Sequence, residues 1–252
     1  MTPNPEIPAE RGFMGELLEF AKSALIAGGV FLAITTCAYA QYHIPSGSMI
    51  PTLEIGDRVM VSKFAYGYSR FSLPLNVGAL MPRAAHRLLE RMPERGDVVV
   101  FIHPRTGETL IKRLIALPGD RVEMRNGRLY LNSLPVDRDD PRRIVRPAQG
   151  RGHGLDRAIQ FSEMLPNGVV HPIHEMTSHG ALDEFGPVTV PEDHVFVMGD
   201  NRDNSLDSRW TGLGFVPVEN LIGRAETIVF APSRCRAAVC GERDRWLRPL
   251  RD

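Results

Sequence analysis

Lysine is scarce in this sequence. Of 30 basic residues only Lys22, Lys63 and Lys112 are lysines, and the other 27 are arginines. A lysine inside an apolar run therefore stands out. Cysteine is scarce as well: Cys37, Cys235 and Cys240 make up the full set, and their spacing fits no zinc site. A Cys235–Cys240 disulfide in an oxidising compartment and two free thiols both remain open. An excess of charge of either sign is missing too. Thirty acidic residues balance the basic ones, which argues against a general nucleic-acid binder. There is no internal repeat. The Ser-x-x-Lys of penicillin-binding enzymes does not occur.

Long apolar runs are missing except at one place. Residues 1–16 are polar, and from Leu17 the chain turns apolar, with Glu19 and Lys22 near the start. The uninterrupted part, Ala24–Ala40, is 17 residues, at the short end for a membrane span. Snorkelling by Lys22 extends it. Residues 17–41 are expected to form one retained transmembrane helix. A removable signal peptide is the rival, because Ala38-Tyr39-Ala40 has a small-x-small pattern. Against that rival, the flanking residues carry more acid than base (Glu6, Glu10, Glu16 and Glu19 against Arg11 and Lys22). The same charges leave orientation undecided.

Directly after this run comes Pro45-Ser46-Gly47-Ser48-Met49-Ile50-Pro51-Thr52-Leu53. The prolines fix φ and disfavour a regular helix, and the glycine allows another backbone to come close. The result is a small hydroxyl on a stiff turn beside apolar residues, which suits a nucleophile and equally suits a polar linker. Phe64–Leu75 follows, rich in aromatics. It is expected either at a membrane interface or over a core. Residues 82–95 read as a basic, helical connection.

The body reads as strands. Asp97–His103 and Thr109–Leu117 are β-branched and apolar; Val122–Arg125 and Arg128–Leu131 flank an Asn-Gly hairpin turn. Val188–Val190 and His194–Met198 are further strands. Residues 135–183 are rich in Pro, Gly, Arg and His, and read as a loop-rich insertion with one or two short strands. His171-x-x-His174 invites a metal reading, but no acidic partner stands at a familiar spacing. His153, His171, His174 and His179 are expected to be solvated loop histidines. The fold class is mainly β: a sandwich- or barrel-like catalytic domain with a loop-rich β insertion, after one N-terminal transmembrane helix. The expected division is a polar segment 1–16, an anchor 17–41, a β-rich body 42–231 and an Arg-rich tail 232–252. The tail is expected to be solvated, with anionic lipid as the alternative.

Lys112 is the only lysine set inside an apolar strand run. Burial lowers an ammonium pKa. Bringing it near 7 needs about three units, or roughly 4 kcal/mol. A neutral amine of that kind is a competent base for a serine hydroxyl. The competing reading is a half-exposed lysine with only its stem buried. Gly199–Arg209 is dense in Asp, Asn, Ser and Arg, which suits a loop locked by hydrogen bonds and Arg–carboxylate pairs. A calcium loop is disfavoured, because the spacing of Asp200, Asp203 and Asp207 is not that of an EF-hand and Arg202 and Arg209 oppose a cation.

Taken together, Ile44–Leu53, Glu94–Phe101, Ile111–Asp120 and Gly199–Arg209 resemble, in order, the signature boxes of bacterial type I signal peptidases (leader peptidases). The resemblance runs from about residue 17 to about residue 231, and implies that 122–190 is a variable insertion in the β-rich body. It implies a serine peptidase with a Ser–Lys dyad: Ser48 as nucleophile and Lys112 as general base. It also implies an oxyanion hole from the Ser46 hydroxyl and the Ser48 backbone N–H, and an orienting hydroxyl on Ser205. Arg113 and the Asp207–Arg209 ion pair would support the site. Because a facing anion would spoil the base, Asp207 is expected to point at Arg209 rather than at Lys112. The family's substrates are signal peptides of exported pre-proteins, cut after small residues at −1 and −3. Two shallow pockets are therefore expected, including Met49 and Ile50. The implied partners are the lipid bilayer and the export translocon, with no nucleic acid, no cofactor and no metal. The implied location is the bacterial cytoplasmic (inner) membrane, single-pass, with the catalytic domain on the extracytoplasmic side. A self-cleaving repressor-type peptidase and a catalytically dead, membrane-tethered β domain are the rivals. The retained anchor has a direct check. Intact mass of the purified full chain is expected to show no cut after Ala40; an N-terminus at Gln41 would refute it.

Overall fold

The computed structural model describes residues 13–72, 87–147, 155–177, 179–232 and 245–250. A 25-residue helix, α1 (Phe13–Cys37), leads into β1 (Tyr39–His43). The strands that follow are β2 (Arg58–Ser62), β3 (Val98–Ile102), β4 (Thr109–Ala116), β5 (Arg121–Arg125), β6 (Arg128–Leu131) and β7 (Leu134–Pro135). Next come β8 (Asp137–Pro147), β9 (Leu155–Met164), β10 (Val170–Glu175), β11 (Phe185–Thr189), β12 (His194–Met198), β13 (Val216–Pro217) and β14 (Leu221–Phe230).

These strands form three antiparallel sheets. The largest has the order β1-β2-β14-β3-β4-β12-β13; the others are β11-β5-β6-β7 and β10-β9-β8. The alternation in β3 shows why the large sheet is buried on both faces. Val98 and Val100 face one cluster, with Met49, Leu53, Val59 and Ile228. Val99 and Phe101 face the other, with Tyr66, Leu114, Val197 and Leu221. In β12, Val195 and Val197 join that second cluster, whereas Phe196 and Met198 pack under the β5–β6 hairpin. Period-two side-chain direction thus shares two strands among three cores. The hairpin itself turns on Asn126 (φ 49°) and Gly127 (φ 72°), as its Asn-Gly pair requires.

The main departures from the sequence reading lie in the connections. The insertion is richer in strand than expected: β8, β9 and β10 make a sheet of their own, built on strands of 11, 10 and 6 residues. Arg and Pro hid the alternation there. Residues 87–95 are not helical; Leu88 instead bridges Tyr68. Arg87 is buried and donates to the carbonyls of Tyr66, Gly67, Val218 and Leu221. The aromatic stretch divides, with Tyr66 in the core and Phe64 exposed. The tail is not simply solvated. Leu247 and Leu250 donate to the carbonyls of Ile228 and Glu226, and Arg245 pairs with Asp57 at 2.8 Å. Cys235, Cys240 and His153 lie outside the described residues.

In α1, every side chain from Glu16 to Phe31 is exposed, including Leu18, Phe20, Leu25 and Phe31. No helix among the described residues is long and apolar enough to cross a membrane. Tyr39, Ala40 and Gln41, expected at the end of the anchor, instead pair with Ser62, Val61 and Met60 of β2. Gly67 has φ 78°, and a Cβ there would meet the Leu88 and Leu89 carbonyl oxygens at 2.4 Å. Gly67→Ala is therefore expected to cost more than about 2 kcal/mol in denaturant unfolding, through strain and lost Tyr68–Leu88 pairing.

Candidate active site

The Ser48 turn is held open by its own sequence. After β1, Ile44 continues the ladder by donating to Asp57 O and accepting from Gly56 N. Ser46 takes an extended conformation (φ −130°, ψ 158°), and Gly47–Met49 forms a single 3-10 turn. Ser46 is exposed, whereas Ser48 and Met49 are buried.

Lys112 comes to this turn from β4. It is 4% exposed, opposite Val99 of β3. Its Nζ lies 2.6 Å from Ser48 Oγ. The half-exposed reading of this lysine is thus wrong. Burial drives its pKa down from 10.5 to about 8, against the weaker upward pull of Asp207 and Asp200. Ser46 Oγ lies 3.5 Å from Ser48 Oγ. An amine of lowered basicity in contact with a hydroxyl, away from bulk water, can accept the hydroxyl proton.

Each of the two carboxylates is taken up by an arginine. Asp207 receives Nε and Nη2 of Arg209, both at 2.9 Å, together with the Gly199 N–H. It points at Arg209 and not at Lys112, as expected. Asp200, whose role the sequence did not reveal, receives Nε and Nη2 of Arg113 at 2.8 and 2.7 Å. Arg113 also donates to Gly96 O and Thr52 Oγ1, and Thr52 donates in turn to Asp200. Burial alone would raise both carboxyls; the charge and hydrogen bonds of their arginines outweigh it and hold both below the usual range.

Asn201 and Gly199 were also missed. The Asn201 N–H donates to Ser48 O and its Nδ2 to Gly47 O, each at 3.1 Å. Gly199 has no room for a side chain: a Cβ would meet Ser205 Oγ at 2.3 Å and Ser48 O at 2.4 Å. Both roles depend on a turn 150 residues earlier. Ser205 departs from expectation. Its buried hydroxyl is not hydrogen-bonded to Lys112; it lies against the Asp207 carboxyl and helps to lower it. Met49 lies in the core with Ile44, Leu53 and Val59, and half-buried Tyr42 and Ile111 pack against that cluster; Ile50 is buried outside it.

The histidines need correction. His171 and His174 are not solvated; each is 2% exposed. Their sheet packs behind the Gly199–Arg209 loop, so they are shielded by a structure the sequence did not reveal. Only His179 is exposed as expected. Among the described residues, no group of three or more His, Cys, Asp or Glu side chains could hold a metal.

A model of the family described as signal peptidase, peptidase S26, matches residues 17–230. The chain belongs to this family. It is 36% identical over 209 residues to signal peptidase I of Rickettsia typhi, covering 80% of this chain and 76% of that protein. It is 35% identical over 220 residues to signal peptidase I of Rickettsia bellii, covering 83% and 72%. A crystal structure of a signal peptidase I from Enterococcus faecalis shares 28% identity, covering 53% of this chain and 97% of the other, with a TM-score of 0.33. Membership makes the chain a hydrolase of the signal peptidase I type.

Breaking the Arg113–Asp200 pair is expected to be costly. Asp200→Asn should lose about 3 to 5 kcal/mol at pH 7, since it strands a buried guanidinium. A carboxyl depressed in the folded state contributes stability above the ordinary range near 4 and loses it as pH falls. Urea unfolding of wild type and variant should therefore begin to converge below about pH 4 and meet only once the pH has fallen through the depressed pKa of the folded carboxyl.

Proposed function

We propose that the chain is a membrane-anchored serine endopeptidase that removes signal peptides from exported pre-proteins, with Ser48 as nucleophile and Lys112 as general base. The 2.6 Å contact between their buried Nζ and Oγ carries this reading. Neutral Lys112 takes the Ser48 proton as Oγ attacks the scissile carbonyl. The Ser48 N–H and the Ser46 hydroxyl stabilise the oxyanion. The lysine ammonium then protonates the leaving amine, and the acyl group stays on Ser48. Lys112 next deprotonates a water, which releases the signal peptide. With a pKa of about 8, about a tenth of Lys112 is neutral at pH 7.

Arg113 and the Asp207–Arg209 pair keep carboxylate charge off the base. Small residues at −1 and −3 would be accepted beside Ser48, over Met49 and Ile50, where half-buried Tyr42 and Ile111 pack against the Met49 core. The exposed apolar side chains of α1 support attachment to the cytoplasmic membrane as a single pass, with the catalytic body outside. Holding enzyme and substrate in one bilayer raises the effective concentration of the cut site. The translocon is the partner that would deliver the substrate.

The test is cleavage in detergent of a pre-protein bearing an Ala-x-Ala site. Ser48→Ala and Lys112→Ala are each expected to lose about a thousandfold or more, and the wild-type rate should rise with pH to a plateau above about 8. Near-full activity of Lys112→Ala would remove the dyad; an inert wild type would favour the binding-domain reading. Stability gives a second readout. A lysine depressed in the folded state costs stability while charged, so the fold gains as pH rises from about 8 towards 10.5. Lys112→Met should thus stabilise the protein at pH 7 by up to about 3 kcal/mol while abolishing cleavage.

A further inference from the structure

Beyond the dyad and its arginines, a cluster of buried ionisable side chains lies where the insertion meets the Gly199–Arg209 loop. Glu163 on β9, His171 and His174 on β10, and Arg202 in the loop are each at most 2% exposed. Arg202 forks onto Glu163, with Nη1 at 3.0 Å from Oε2 and Nη2 donating to Oε1. His171 Nε2 is 3.4 Å from the same carboxylate. The His174 backbone brackets the loop: its N–H donates to Asp200 O at 2.8 Å, and its carbonyl accepts from Arg202 N–H at 2.9 Å. β8 adds Arg146, which pairs with Glu54, two residues beyond Thr52. Each strand of the insertion sheet thus grips a segment that carries the site.

The Glu163–Arg202 pair has no obvious value for stability alone. A buried pair of this kind roughly breaks even against apolar residues of the same volume. It does fix the position of Arg202. The neighbouring residue is Asn201, whose backbone and side chain hold the carbonyls of Ser48 and Gly47. Burial would raise the Glu163 carboxyl, but the Arg202 charge and the His171 contact hold it far below the ordinary range, so the pair stays ionised across the working pH.

We propose that Glu163 and Arg202 are positioning residues, through which the insertion sheet sets Asn201, and hence Ser48, against Lys112. This rests on the dyad reading above. The insertion is then a brace for the catalytic turn, and its length can vary only where it does not disturb β9 and β10.

The experiment uses the full chain in detergent micelles with isotope-labelled lysine. With three lysines in the sequence, Lys112→Arg assigns the Lys112 signal. The comparison is wild type against the double variant Glu163→Leu/Arg202→Met, which replaces the pair with apolar groups and strands no charge. The double variant is expected to remain folded, with its melting temperature within a few degrees of wild type. Its Lys112 titration midpoint should move up by more than about half a unit as water reaches the loosened turn. Asp200 and Asp207, the charged groups facing Lys112, keep their arginines in this variant. For cleavage, kcat should fall about tenfold or more while KM stays within about twofold. An unchanged midpoint with wild-type kcat would overturn the proposal. So would failure of the double variant to fold, since the pair would then serve the fold itself. If the wild type does not cleave, the dyad reading falls, and the titration alone decides whether this pair sets Lys112 and its turn.

Discussion

The constraint on which this structure depends is that Lys112 must be dry. An ammonium in water holds its proton until far above neutrality, and only removal from water weakens that hold. Burial on β4, under the Ser48 turn and against β3, supplies the removal. The difficulty is that a rigid polar loop must also come close in order to hold the serine. That loop brings Asp200 and Asp207, and either carboxylate, if unpaired, would restore the basicity that burial removes. Arg113 and Arg209 occupy them. Each is planar, always charged and able to bind both carboxylate oxygens, which a lysine cannot do. The scarcity of lysine beside abundant arginine has this local meaning: the cations around the site hold both oxygens of each carboxylate.

A hierarchy of fixation follows. The Asn201 side chain and backbone hold the turn from one side. Asp57 accepts the Glu54 N–H at 2.8 Å and pairs with Arg245 from the returning tail. Asp97 does the same one level lower: it accepts the Glu94 N–H and so shapes the turn that brings Gly96 O to Arg113. The carboxylates at positions 57, 97 and 207 thus act near the site as acceptors that fix backbone N–H groups in place.

Much of this could be read in the chain. The boxes around Ser48, Lys112 and Asp207 gave the family, and β-branched apolar runs gave the central strands. The Asn-Gly pair gave the hairpin, and a simple argument about anions gave the direction of Asp207. What could not be read was pairing between distant segments. Nothing local marks Asp200 for Arg113 over Arg209, or Asn201 for a turn so far upstream. The insertion strands were obscured because their exposed faces carry Arg, Asp and Pro in place of the β-branched residues that signal a sheet. Their buried polar side chains, Glu163, His171 and His174, resemble solvated ones until their partners are known. Ser205 shows the opposite limit: its position in a box implied a hydrogen bond that the geometry does not make.

The strand order carries a consequence for biosynthesis. β1 and β2, which flank Ser48, join the β3–β4 hairpin that carries Lys112 only through β14, residues Leu221–Phe230. On a ribosome Ser48 and Lys112 emerge well before the strand that unites their two halves of the sheet. Non-local pairing of this kind forms late in folding. A nascent chain therefore carries both side chains before the sheet that unites the two halves can close.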